Sequence, residues 1–285
     1  MRMTIKEAYS WASSFLEKNK IDNPSLEAEV MIRTLHNWDR SQFFLNLEII
    51  LSINKYQQLK EWLYRRIQHE PLQYIIGTQD FYGRTFRVTP NVLIPRPETE
   101  LLIETVIKEA NKLWGEKPIT AVDIGTGSGA IAITLALEKE EWEVHTVDIS
   151  KEAIKVASDN AAKLHANITF HHGDLLLPLI KKQIQVDLII SNPPYIPSQD
   201  ILDLMPEVRD FEPTLALDGG IDGLNFYRQI LKQSSSILKL PGIIAFEIGV
   251  NQSDMIKNLF YQSGAKEVKV LPDFQNIPRI AIGWY

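Results

Sequence analysis

The chain has 285 residues, 45% of them apolar and 23% charged, the composition of a water-soluble globular protein with room for one large domain or two of roughly 100–200 residues. It has no cysteine, which excludes disulfides, thiolate nucleophiles and Cys-ligated zinc; no apolar run approaches the ~20 residues of a membrane helix. The N-terminus lacks the apolar core of a signal peptide, so a cytoplasmic location is expected, and a formal net charge of −6 argues against sequence-independent binding to nucleic acid, which rests on neutralising phosphates.

Residues 1–75 read as helical. Ile5, Ala8, Tyr9, Ala12, Phe15 and Leu16 recur at helical spacing. Asn23-Pro24 reads as an N-cap followed by a first-turn proline, opening a helix to about Leu35. Ser52 precedes a further stripe at Tyr56, Leu59, Leu63 and Ile67, ended by Pro71. This is a small bundle near the lower limit of independent stability, suited to contacting a partner or bracing a larger domain.

Residues 76–97 read as a linker. Two aromatic-rich runs flank Tyr82-Gly83, the pattern of a β-hairpin. In Ile94-Pro95-Arg96-Pro97-Glu98-Thr99-Glu100 the prolines hold an extended lead-in. Pro97 is placed to start the helix that carries Leu101, Leu102, Val106 and Ile107.

Residues 98–285 form the larger domain. Strands are expected at 119–124, 143–148, 168–171, 186–191 and 243–248, with helices at 130–137, 151–164 and 225–238 between them. That alternation is the sign of an α/β doubly wound, Rossmann-like sheet. The last two strands, 266–271 and 279–284, are separated by too short a connection for a crossover, so they read as an antiparallel hairpin. Seven strands with one reversed is an arrangement that resembles the class I methyltransferases.

Asp123-Ile124-Gly125-Thr126-Gly127-Ser128-Gly129 lies between a strand and its helix. Glycines there let backbone approach a ligand and present N–H groups at a helix start. Nicotinamide enzymes favour GxGxxG, whereas this run is GxGxG with Asp123 two residues ahead. An acid in that position suits a ligand with a positive amino group, such as S-adenosylmethionine, better than a pyrophosphate. Asp148 ends the next strand about twenty residues on, where an acid binds ribose hydroxyls. Asp174, in His172-Gly173-Asp174-Leu175, is placed to accept from an adenine amino group while Leu175 packs on the ring.

The richest segment is Asn192-Pro193-Pro194-Tyr195, after the apolar strand 186–191. The prolines remove two N–H donors and keep the loop extended. What remains is the Asn192 amide, loop carbonyls free to accept, and the flat face of Tyr195. In isolation this is a proline-rich turn; after a strand and downstream of a glycine loop it points to methylation of an sp² nitrogen. The histidines, at 36, 69, 145, 165, 171 and 172, show no HExxH spacing, and His171-His172 face opposite ways, so no metal site is read.

Taken together, Pro71-Leu72-Gln73-Tyr74-Ile75-Ile76-Gly77, the hairpin, IPRPETE, the DIGTGSG loop and NPPY resemble the HemK/PrmC family of protein-(glutamine-N5) methyltransferases over essentially the whole chain. NPPY is shared with amino-methylating DNA and RNA enzymes; IPRPETE ahead of GTGSG is more specific. The resemblance implies methylation of the GGQ glutamine of class-1 peptide chain release factors, with S-adenosylmethionine converted to S-adenosylhomocysteine. It implies Asn192, Pro193, Pro194 and Tyr195 as the substrate site, with Asn192, Pro193 and Tyr195 catalytic. For the cofactor it implies Asp123, Gly125, Thr126, Gly127, Ser128, Gly129, Asp148, Asp174, Leu175 and Asn192. It further implies that residues 1–75 contact the release factor, that residues 98–285 are the catalytic domain, and that the protein acts as a monomer. Two alternatives stay open: a nucleic-acid amino (adenine N6-type) methyltransferase, which would need a basic face or a target-recognition domain, and a cofactor-binding module without catalysis.

Overall fold

A capping box starts the helical unit. In the computed structural model, which describes residues 3–285, the Glu7 amide donates to the Thr4 hydroxyl oxygen and the Thr4 amide donates to the Glu7 carboxylate. Such an N-cap contributes about 1 kcal/mol to a helix start. It opens α1 (Ile5–Lys18), followed by α2 (Pro24–His36), α3 (Arg40–Leu45), α4 (Ile53–Arg66) and α5 (Leu72–Ile76). Ile5, Leu16, Met31, Ile32, Phe43, Leu59 and Leu63 fill one core, each stabilising the unit by roughly 1.5–3 kcal/mol through removal from water. Ser52, expected just ahead of this helix, caps α4, with the Lys55 amide donating to its hydroxyl oxygen. Asn23 does not cap α2. Its φ of 51° is left-handed and its side chain makes no cap bond; Pro24, with its pre-set φ, fixes the first turn without it.

At the end of α4 the Arg66 guanidinium is buried, with Nε 2.7 Å from Glu27 Oε2 and Nη2 2.6 Å from Glu207 Oε1. Glu207 lies in Pro206–Phe211, which groups with the residues up to Thr78 in one compact unit, while Gln79–Met205 and Glu212–Tyr285 form the other. A boundary drawn near residue 75 misses this returning segment. Its six residues are too few to show a period, and its partner sits 141 positions away.

The second unit takes in, from Gln79 on, a hairpin of β1 (Thr78–Phe81) and β2 (Arg84–Arg87). The two residues between, Tyr82 and Gly83, have φ of 49° and 70°, the left-handed pair whose twist matches that of the strands it joins. Pro97 opens α6 (Pro97–Trp114). Then follow β3 (Thr120–Ile124), α7 (Ala130–Glu138), β4 (Glu143–Asp148), α8 (Lys151–Leu164), β5 (Thr169–His172), α9 (Leu177–Lys182) and β6 (Val186–Ser191). After α10 (Pro206–Phe211), which belongs to the first unit, come α11 (Asn225–Ser234), β7 (Leu238–Glu247), α12 (Ser253–Gln262), β8 (Glu267–Pro272) and β9 (Pro278–Trp284).

The sheet order is β5-β4-β3-β6-β7-β9-β8. All pairings are parallel except those of β9, which runs antiparallel to β7 and β8; the expected closing hairpin and single reversed strand are present. The central strands are apolar on both faces, with Val122, Ile189, Ile190, Ile244 and Phe246 fully buried, as covered parallel sheets require. Helix α11 stops four residues short of the expected 238. Ser234 and Ser235 turn their hydroxyls back on the carbonyls of Leu231 and Lys232, a competition that weakens helices, and β7 starts at Leu238. Among the described residues no helix is long and apolar enough to cross a membrane.

Order reverses between β3 and β6, since the chain moves outward through β4 and β5 and then returns to the other side of β3. Open α/β sheets bind ligands at such a switch point.

On one flank of the sheet His145 Nδ1 lies 3.0 Å from His171 Nε2, His171 Nδ1 lies 3.2 Å from Lys182 Nζ, and His145 Nε2 lies 3.2 Å from Glu143 Oε1. Burial holds both imidazoles below their ordinary pKa, His171 at about 4 with help from Lys182 and His145. Unfolded imidazoles, with pKa near 6.5, take up protons that the folded ones refuse. Stability present above pH ~6.5 is therefore lost as the pH falls toward ~4. Thermal melting midpoints across that range should decline in the wild type and less steeply in His171→Gln; parallel declines would assign acid sensitivity elsewhere.

Candidate active site

Strand register brings the two loops together. Ile124, the last residue of β3, pairs with Ser191, the last of β6, and the Ser191 hydroxyl donates to the Ile124 carbonyl at 2.6 Å. The glycine loop and NPPY thus leave the sheet side by side. A cavity of about 440 Å³ opens there, within the range of cofactor-sized sites, ~300–1,000 Å³. Its wall includes Gly125, Thr126, Gly127, Ser128, Asp148, Asp174, Leu175, Asn192, Pro193 and Pro194.

The three glycines of the loop do different things. Gly125 and Gly127 have φ of 84° and 52°; a Cβ on Gly125 would meet open space and one on Gly127 only the Gly125 carbonyl oxygen at 3.9 Å, so backbone conformation rather than crowding demands them. Gly129 is not on the wall. Its φ is 85°, and a Cβ would come 2.7 Å from Ile133 Cδ1 and 3.1 Å from Ala157 Cβ. It lets α7 pack against α8.

Asp148 is held in place by the loop it serves. Its Oδ2 accepts from the Gly127 amide at 3.0 Å and its Oδ1 from the Ser150 amide at 2.8 Å. Burial raises its pKa, opposed by these amides and that of Ile149. Each carboxylate oxygen has a second lone pair, so acceptor capacity remains for two hydroxyls. Asp174 is exposed and Leu175 buried. Leu175 has φ of 46°, a left-handed conformation costly for a branched side chain.

Besides Gly129, two more expected residues lie off the wall. Asp123 is fully buried, with Oδ2 accepting from the Thr146 hydroxyl at 3.1 Å and Oδ1 taking no hydrogen bond of good geometry. Burial raises its pKa to about 8, with Asp148 adding to the rise and Thr146 and the Ala132 amide opposing it. Its carboxyl is enclosed and does not reach the cavity wall. Tyr195 also stands off the cavity. Its ring packs on the core beside Gly249, its carbonyl accepts from Gln252 Nε2 at 2.9 Å, and burial raises its hydroxyl pKa further above 10. It supports the NPPY turn from behind rather than facing the cavity.

Several residues that shape the site went unread in the sequence. Asn160 of α8 donates to the carbonyls of Ser128 and Arg87 and accepts from the Arg87 amide, pinning the glycine loop to the hairpin. Buried Glu212 accepts from Arg96 and from the Ile94 amide, fastening the proline-rich lead-in beside the cavity. Thr99 links Asn192 to Glu247. An acid ending a buried apolar run, as Glu247 does in Phe246-Glu247-Ile248-Gly249, was the signal available.

The donor set suits S-adenosylmethionine: a carboxylate with spare acceptor sites for a ribose, a buried leucine and an exposed acid for a purine, and glycines that leave the wall clear. Comparison with known proteins agrees. The PrmC N-terminal domain family matches residues 7–77 and the methyltransferase small domain family residues 97–207. A solved methyltransferase from Pyrococcus furiosus, 17% identical with a TM-score of 0.51 over 81% of this chain and 98% of that one, shares the fold. The release factor glutamine methyltransferase of Bacillus cereus is 43% identical over 261 residues, 92% of each chain. That of Bacillus subtilis is 42% identical over 97% of this chain and 96% of its own. Likeness at that level, sustained through both domain families, settles the kinship: this chain belongs to the release factor glutamine methyltransferase family.

Proposed function

We propose that this protein methylates the side-chain amide nitrogen of the glutamine in the GGQ motif of class-1 release factors, using S-adenosylmethionine. The observation that carries the reading is the emergence of the glycine loop and NPPY from paired strand ends into one cavity, in a chain whose relatives are named for that reaction. The nucleic-acid alternative is not favoured by these relatives.

In this reading Gly125, Thr126, Gly127, Ser128, Asp148, Asp174 and Leu175 hold the cofactor. Asp148 takes the ribose hydroxyls, and Asp123 and Gly129 support the loop from beneath. When bound, S-adenosylmethionine supplies a methyl group activated by its sulfonium. The chain's own work is at the glutamine. A carboxamide nitrogen is a weak nucleophile because its lone pair is delocalised into the carbonyl. The Asn192 Oδ1 and the Pro193 carbonyl accept its two N–H groups, fix its direction, and stabilise positive charge as it develops on nitrogen. The methylated nitrogen is then acidic enough to release its proton to water, so no strong general base is needed.

The test is transfer of labelled methyl to a release factor, to the same factor with its GGQ glutamine replaced by alanine, and to nucleic acid. Label on the first alone is expected. Label on nucleic acid, or on the glutamine-free factor, would overturn the reading.

The helical unit is proposed to contact the release factor. Between residues 44 and 53 it leaves Phe44, Leu45, Ile49, Ile50 and Ile53 exposed, Leu45 to 84% and Ile53 to 67%, a run of apolar side chains of the kind that marks a contact face. Leu45→Glu combined with Ile53→Glu is expected to raise the KM for the intact factor by roughly tenfold, the scale of one lost apolar anchor, and to leave that for a short GGQ peptide unchanged. Equal effects on both substrates would make the unit a structural brace.

A further inference from the structure

The Asn192 amide has two chemically opposite ends, and only its oxygen can accept from the N–H of a substrate amide. What settles which end faces the cavity lies behind it. Asn192 Nδ2 is 3.2 Å from Thr99 Oγ1, and Thr99 Oγ1 is 2.6 Å from Glu247 Oε2. Thr99 is buried in the first turn of α6, and Glu247 is buried at the end of β7. The pairing of Ser191 with Phe246 sets the next residues, Asn192 and Glu247, beside each other. Glu247 is anchored at its main chain as well, its carbonyl accepting from the Tyr227 hydroxyl at 2.9 Å.

Proton counting gives the direction. A hydroxyl has one hydrogen and a carboxylate none. Thr99 therefore spends its hydrogen on Glu247, and its oxygen has only lone pairs left. The end of Asn192 that faces it must be the NH₂. The Asn192 oxygen is left for the substrate.

We propose that Thr99 and Glu247 are positioning residues for the reaction, setting the flip of the Asn192 amide so that its oxygen meets the glutamine nitrogen. This rests on the glutamine-methylating reading above and adds to it the two residues that make NPPY competent. Neither touches the substrate.

The direction of the chain depends on Glu247 being ionised. Burial raises its pKa to about 7, with Glu98 of α6 adding to the rise and Thr99, Arg279 of β9 and Arg96 ahead of α6 opposing it. The neutral phenols of Tyr195 and Tyr227 also lie near it. Above this pH the carboxylate can only accept. Below it a protonated Glu247 can donate to Thr99, whose hydroxyl can then donate to Asn192, and the amide is free to turn the wrong way. Turnover should fall on the acid side of about pH 7 for this reason.

The experiment is steady-state and single-turnover kinetics on a release factor, with cofactor affinity by calorimetry and melting temperature as controls. Thr99→Val keeps the shape and removes the hydroxyl. It is expected to lower kcat by about tenfold or more, the effect of a misdirected reacting group, with KM and cofactor affinity within about twofold of wild type. Thr99→Ser should recover most of the loss. Glu247→Gln cannot titrate, so the acid limb of the kcat profile should disappear. A Thr99→Val enzyme with wild-type kcat would overturn the proposal. So would a loss in kcat, KM and melting temperature together that serine does not rescue, since that is a packing effect. A wild-type enzyme inactive on every release factor would overturn the reading beneath the proposal and the proposal with it, whereas an active wild type beside an unaffected Thr99→Val would overturn the proposal alone.

Discussion

Asn192→Ala is expected to lower the rate of methyl transfer to a release factor by about two orders of magnitude or more, on the scale of ~3 kcal/mol for the loss of one preorganised partner of the reacting group. Without Oδ1, one N–H of the substrate amide faces nothing, and its nitrogen can rotate off the line of transfer. Cofactor affinity should change far less, because Asp148 and the glycine loop belong to β4 and to the turn after β3. Tyr195 separates support from chemistry. Its ring lies against the core and its carbonyl is held by Gln252, so Tyr195→Phe should be mild and Tyr195→Ala severe, through collapse of the turn. Single-turnover rates decide both. A nearly normal rate for Asn192→Ala would make NPPY a structural turn here and put the chemistry elsewhere.

The parts of this molecule that were legible in the sequence are those in which a local pattern has a local cause. The buried strand of β6 was foreseen to the residue, and the α4 helix was read to begin just after Ser52. The hairpin was foreseen because two aromatic-rich runs flank Tyr82-Gly83, which take the two left-handed conformations that a tight turn demands. What could not be read depends on residues that meet only after folding. Glu212 serves Ile94 and Arg96 from 118 and 116 positions away, Asn160 clamps the hairpin from 73, and Glu247 reaches Thr99 from 148. The same limit explains Asp123 and Gly129. Both sit in a motif whose neighbours line the cavity, but strand alternation turns the Asp123 side chain into the sheet layer, and the close approach of α8 takes up the space over Gly129. A motif names the neighbourhood of a ligand; which of its members reach the wall is decided by packing.

Asp148→Ala should weaken S-adenosylmethionine binding by roughly 10- to 100-fold, since it removes a charged acceptor from two hydroxyls in a partly enclosed site. The geometry gives this substitution a second effect. Asp148 accepts from the amides of both Gly127 and Ser150, so alanine leaves two N–H groups without their partner and frees the glycine loop beside it. Asp148→Asn separates the two contributions. It keeps one acceptor oxygen for an amide, and its own NH₂ is turned against the second. Calorimetry should therefore rank wild type above Asp148→Asn, and Asp148→Asn above Asp148→Ala, with Asp174→Ala affected least, because Asp174 is exposed and water can take its place. Wild-type affinity in Asp148→Ala would remove the ribose assignment. An asparagine variant as weak as alanine would show that the charge, rather than the fixed loop, supplies the binding energy.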